Sequence, residues 1–97
     1  MRARLTPTRR EMREMGIRGY VLIETSVGRA GAAAEGIRQV KLPDAAILSA
    51  EVVTGPYDVI AVLETNDLDS LGHLITDVIQ AIGGVQKTTT CLLWTPK

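Results

Sequence analysis

Apolar residues gather along the chain in short runs separated by turn-forming residues. Tyr20-Val21-Leu22-Ile23-Glu24-Thr25 is rich in β-formers and predicts a first strand over 20–25. A thin apolar face of Ala30, Ala33, Ala34, Ile37 and Val40 predicts a helix over 28–40, which Ser26 is placed to cap. Gly31 and Gly36 each weaken that helix by about 1 kcal/mol relative to alanine. Leu42-Pro43-Asp44 breaks it. A second strand is predicted over 46–54, a tight turn at Gly55-Pro56-Tyr57, and a third strand over 58–65. The strongest pattern follows. Asn66 is a good N-cap, and Leu71, Leu74, Ile75, Val78, Ile79 and Ile82 then recur on one helical face until Gly83-Gly84 ends it. A final strand over 85–94 closes the chain.

The order is therefore βαββαβ, and an internal repeat supports it. Tyr20–Thr25 aligns with Ile60–Thr65 at an offset of 40 residues, each copy ending in Glu-Thr and leading into a helix. Two such halves predict an α+β, ferredoxin-like antiparallel sheet with both helices on one face. Right-handed crossovers put the helices on the same side.

A sheet covered on one face alternates apolar with polar residues, but two of these strands do not. Val21 and Ile23 point one way and Tyr20 and Leu22 the other; Val59, Ala61 and Leu63 oppose Ile60 and Val62. The repeat marks these strands as the central pair, and two helices can hide only one of their faces. A bare apolar face of that size calls for a cover. A second copy packed sheet to sheet, as in a dimeric α/β barrel, is the stronger reading. The alternative cover is the N-terminal arm, whose only sizeable apolar members are Leu5, Met12, Met15 and Ile17.

Composition narrows the function classes. Ninety-seven residues, 45% hydrophobic with mean hydropathy +0.12, suffice for one compact domain. No run approaches a membrane span or a signal peptide, so a cytoplasmic protein without membrane contact is expected. Eleven basic and eleven acidic residues cancel, which gives the whole chain no electrostatic case for direct nucleic-acid binding. The cancellation hides an asymmetry. Residues 1–18 hold six arginines against two glutamates, a net of +4, and residues 19–97 hold five basic and nine acidic side chains, a net of −4. The first 18 residues read as a basic arm on a unit spanning 19–97, either solvated or docked on an acidic partner.

Candidate chemistry is sparse. With one cysteine and one histidine, no catalytic residue, metal site or cofactor is assigned. His73 reads as a satisfied or exposed histidine, Cys91 as an inert buried thiol and Trp94 as packing. Glu24 and Glu64 are matched by the repeat without any catalytic geometry. Gly55-Pro56-Tyr57-Asp58 is ordinary turn chemistry, yet such a turn can also offer main-chain N–H groups to a ligand that its glycine lets approach. Thr88 and Thr90 share one face of the last strand.

Three segments, VVTGPYDVIAVLET (52–65), DLDSLGHLITDVIQAIGGV (67–85) and TTTCLL (88–93), resemble the ligand-binding domain of the Lrp/AsnC family of transcription regulators, also called the RAM domain. The likeness covers about residues 19–94. Its most specific signals are Gly55-x-Tyr57-Asp58 between two strands, and Gly84-Val85 followed by Thr88-x-Thr90. Family members typically carry a helix-turn-helix DNA reader first, so the resemblance implies a stand-alone sensor module. It further implies homodimers that can build rings, usually octamers, with an amino acid or related metabolite lodged between dimers. Gly55, Tyr57, Asp58, Thr88 and Thr90 are the ligand-binding candidates on this reading, with Asp58 either meeting an ammonium group or holding its turn. Full-length Lrp/AsnC-type regulators are further candidate partners. The chain departs from the family pattern in a longer Val40–Ile47 connection and in Pro56, which lacks a main-chain donor. Two other classes share the architecture. One is a dimeric α/β-barrel enzyme of the monooxygenase type, for which His73 alone is little material. The other is an ACT-like regulatory domain, with Gly28 as its candidate glycine.

Overall fold

A computed structural model of the chain describes residues 16–93. The elements run β1 (Ile17–Thr25), α1 (Ala30–Arg38), β2 (Ala45–Val52), β3 (Val59–Thr65), α2 (Leu68–His73), a π-helical continuation (Leu74–Ile79) and β4 (Val85–Leu92). The four strands form one antiparallel sheet in the order β2-β3-β1-β4, with the repeated strands β1 and β3 at its centre. This is the expected βαββαβ ferredoxin-like fold.

Both helices lie on one face. Val21 and Ile23 of β1, and Val59, Ala61 and Leu63 of β3, are buried under Ala34 and Ile37 of α1 and under Leu71, Leu74 and Ile79 of the second helix. Gly36, which weakens α1 on propensity alone, is explained by contact: a Cβ there would sit 3.0 Å from Cγ2 of Ile82. The opposite face carries Tyr20 and Leu22 of β1 opposite Val62 and Ile60 of β3, all only half-buried. Among the described residues no helix lies over this apolar face, as the sequence leads one to expect.

Several boundaries move, each for a local reason. β1 starts at Ile17 rather than Tyr20, so Arg18 belongs to the sheet. α1 starts at Ala30, because Gly28 at φ +78 breaks the helical path before it. Ser26 does not cap this helix: its main-chain N–H and its hydroxyl both donate to Gly84 O, at 2.8 and 3.5 Å. β2 stops at Val52, since the N–H of Val53 donates to Asp58 O at 2.9 Å and closes the turn. The cap of α2 is Asp67 rather than Asn66, its carboxylate accepting from Ser70 N–H at 2.8 Å.

The apolar stripe of the second helix is continuous, but its backbone is not uniformly α. Over Leu74–Ile79 it widens to π spacing, with Gln80 N–H donating five residues back to Ile75 O at 2.9 Å. β4 ends at Leu92, and Trp94 and residues 1–15 of the arm lie outside the described residues. Cys91 is exposed, not buried, because its register with Tyr20 puts it on the sheet face opposite α1 and α2. Both edge strands carry one unmatched residue: the register slips at Leu48 in β2 and at Gln86 in β4.

Candidate functional site

The turn at residues 53–58 joins the outer strand β2 to β3 at the end of the sheet where β1 finishes. Gly55 adopts φ +155 at its exposed tip, and a Cβ there would meet nothing within 4 Å. Tyr57 and Asp58 are half-buried behind it. The ladder between β1 and β3 ends at Ile23–Val59, and three further bonds seat the turn on β1. Asp58 N–H donates to Ile23 O at 2.8 Å. Asp58 Oδ2 accepts from Thr25 N–H at 2.8 Å and from the Thr25 hydroxyl at 3.3 Å. One carboxylate oxygen of this site candidate is thus bonded within the protein, as a turn-holding aspartate requires.

Thr88 and Thr90 stand opposite Ile23 and Val21 in the β4 register, so both project on the helix side of the sheet. That edge is not fully covered. Thr88 is half-buried and Thr90 exposed. The Thr88 hydroxyl accepts from Gln80 Nε2 at 3.0 Å, which leaves its own proton to donate elsewhere. No spacing in the sequence points to Gln80, the exposed C-cap of the second helix, since only the fold brings it to β4.

The two halves of the candidate site do not meet within one protomer. Ile23 ladders to Val59 on one side and to Thr88 on the other, so β1 separates the turn from the threonines. The gap is two strand spacings, roughly 10 Å. A small ligand spanning both sets would need contacts from elsewhere.

The same end of the sheet holds Arg29, whose side chain packs over Gly83 and Gly84. A Cβ on Gly84, at φ +96, would stand 2.8 Å from Arg29 Cβ. The arginine is exposed and makes no side-chain cap on α1. His73 is exposed and pairs with Asp77 at 2.7 Å, one turn along its own helix. Among the described residues no group of three His, Cys, Asp or Glu side chains could hold a metal ion, and no helix is long and apolar enough to cross a membrane. No buried side-chain polar atom among them lacks a partner.

A family model described as the Lrp/AsnC ligand binding domain matches residues 20–94. Nothing among the curated proteins matches the chain. Among solved structures, TTHA0845 from Thermus thermophilus is 32% identical with a TM-score of 0.73, over 84% of this chain and 98% of that one. The hypothetical protein PHS023 from Pyrococcus horikoshii is 27% identical with a TM-score of 0.70, over 84% of this chain and 93% of that one. AsnC of E. coli shares the fold at 19% identity and a TM-score of 0.75, over 93% of this chain but only 58% of its own.

Proposed function

The chain belongs to the Lrp/AsnC ligand-binding domain family, and on that premise we propose that it is a non-enzymatic module that senses an amino acid or related metabolite and associates with itself. The family match across residues 20–94 is the observation that carries this reading. Two fold relatives point to the ligand class. A transcriptional regulator from Neisseria meningitidis, 18% identical, was solved as a complex with L-Met. A feast or famine regulatory protein from M. tuberculosis, 16% identical, was also solved with L-methionine.

Gly55, Tyr57, Thr88 and Thr90 line the ligand site on this reading, and Asp58 holds the turn that carries the first two. A zwitterion needs donors for its carboxylate and acceptors for its ammonium group. Main-chain N–H groups of the turn and the free proton of the Thr88 hydroxyl supply the first. Because β1 stands between turn and threonines, one ligand can engage both sets only at a seam between subunits. The half-buried Tyr20, Leu22, Ile60 and Val62 supply the matching driving force, as a homodimer packed sheet to sheet hides them. Such dimers can build a ring, and full-length regulators of the family are candidate co-assembly partners. The ligand then acts by binding one assembly state more tightly than another.

Isothermal titration against each proteinogenic amino acid, with light scattering at each condition, tests the proposal. Heat of binding with at least one of them, accompanied by a change in assembly size, is the expected outcome. Silence across the whole panel would remove the sensing function.

A further inference from the structure

We propose that Thr25 is a positioning residue, which through Asp58 fixes the ligand-facing turn on the central strand β1. The inference rests on the functional reading above and assigns Asp58 to the scaffold of the site rather than to ligand contact.

The argument starts from the ladder. The β1–β3 register advances in steps that would next place Thr25 opposite Tyr57, but pairing stops at Ile23–Val59. The chain leaves the sheet there to form the turn, and Thr25 loses the carbonyl that a longer β3 would have given it. A buried or half-buried N–H without an acceptor costs about 1–3 kcal/mol. The Asp58 carboxylate replaces that carbonyl at 2.8 Å, and the Thr25 hydroxyl reaches the same oxygen at 3.3 Å.

A side chain therefore continues the ladder by one rung while the main chain of residues 54–57 is released from it. That release leaves the N–H groups of Thr54, Gly55 and Tyr57 outside the ladder. The anchor is charge-assisted and is flanked by two main-chain bonds, Asp58 N–H to Ile23 O and Val53 N–H to Asp58 O. The turn is held at its base by four bonds and is open at its tip, the form of a preorganised binding loop.

The internal repeat supports a buttressing role for this threonine. Thr65, its counterpart at the end of β3, is fully buried and donates its hydroxyl to the main-chain Asp67 O at 3.1 Å, bracing the next connection through a local bond.

Three variants of the full chain test the proposal, with L-methionine and then the other amino acids as probes. Amide hydrogen exchange at Thr25 is read alongside the dissociation constant. Asp58→Asn keeps an oxygen acceptor for Thr25 N–H, so binding is expected within about threefold of wild type and the Thr25 amide stays slow to exchange. Asp58→Ala removes the acceptor; the Thr25 amide becomes fast, and binding weakens by about tenfold or more. Thr25→Val removes only the longer hydroxyl bond and costs about two- to threefold.

If Asp58→Asn weakens binding as severely as Asp58→Ala while Thr25 exchange is unchanged, the carboxylate meets the ligand directly and the proposal is overturned. Should Asp58→Ala fail to fold, Asp58→Asn decides alone: near wild-type binding upholds the proposal and a loss of about tenfold ends it. If wild type binds no amino acid, the sensing function falls separately. The clamp is then judged by exchange, where a slow Thr25 amide in wild type and Asp58→Asn upholds it, and a fast one refutes it.

Discussion

Arg18 Nη2 lies 3.2 Å from Glu64 Oε2, joining the two central strands on the face opposite α1 and α2. The pair is lopsided: 39% of the arginine side chain is exposed but only 14% of the glutamate. It sits at the end of the apolar strip, next to Tyr20 and Val62 on that face. Partly exposed pairs of this kind contribute little in isolation, so Glu64→Gln is expected to lower stability by less than about 1 kcal/mol, a loss that shrinks further in high salt. Urea denaturation at two ionic strengths measures it.

The strip itself carries a larger expectation. Leu22 stands at its centre, opposite Ile60 and beside Thr89. Leu22→Asp places a charge where a partner sheet would pack, without touching the core beneath α1 and α2. Self-association is expected to weaken about 100-fold or more, while the far-UV circular dichroism stays native. Analytical ultracentrifugation of wild type and variant checks this, and a wild type that is monomeric at every concentration would refute the sheet-to-sheet dimer.

Two glycines should respond in opposite directions to alanine. Gly84 has φ +96, and its new Cβ would collide with Arg29 Cβ at 2.8 Å, so Gly84→Ala is expected to destabilise by more than about 1 kcal/mol. Gly31, in the first turn of α1, has nothing within 4 Å of its Cβ position. Gly31→Ala therefore gains about 0.5–1 kcal/mol through helix propensity. Thermal unfolding of both variants settles the pair.

The cap of α2 gives the chain an acid-sensitive point. Main-chain donation from Ser70 holds the Asp67 carboxyl below the usual carboxylate range. A carboxyl depressed on folding binds fewer protons in the native state than in the unfolded one, so its contribution is whole above the ordinary aspartate value of about 3.9 and fades as pH falls below it. Asp67→Asn keeps an oxygen for the Ser70 N–H but cannot titrate. Stability measured from about pH 6 down to about 2.5 should show a steeper decline for wild type than for this variant.

Much of the fold was legible because its signals are periodic and local. Leu71, Leu74 and Ile79 declare one helical face, and the β1/β3 repeat identified both the central strands and their two-sided apolar character. The π spacing at Leu74–Ile79 was not readable, since the same stripe fits either helix. Asn66 and Asp67 are both good caps, and only Ser70 N–H shows which is used. Cys91 was misplaced because a run of threonines beside Cys-Leu-Leu gives no clue to which face is helix-covered; register with Tyr20 decides that. The candidate-site residues are named by the family resemblance alone, and their bonding is not readable from the sequence. Thr25 and Asp58 are 33 residues apart, and no spacing rule links a strand end to a distant turn.

The slips at Leu48 and Gln86 leave neither open edge of the sheet with an unbroken row of evenly spaced main-chain groups. A stray strand cannot zip along either border in a single frame, which guards against runaway, fibril-like accretion. Any association of this protein is thereby steered away from the rims of its sheet.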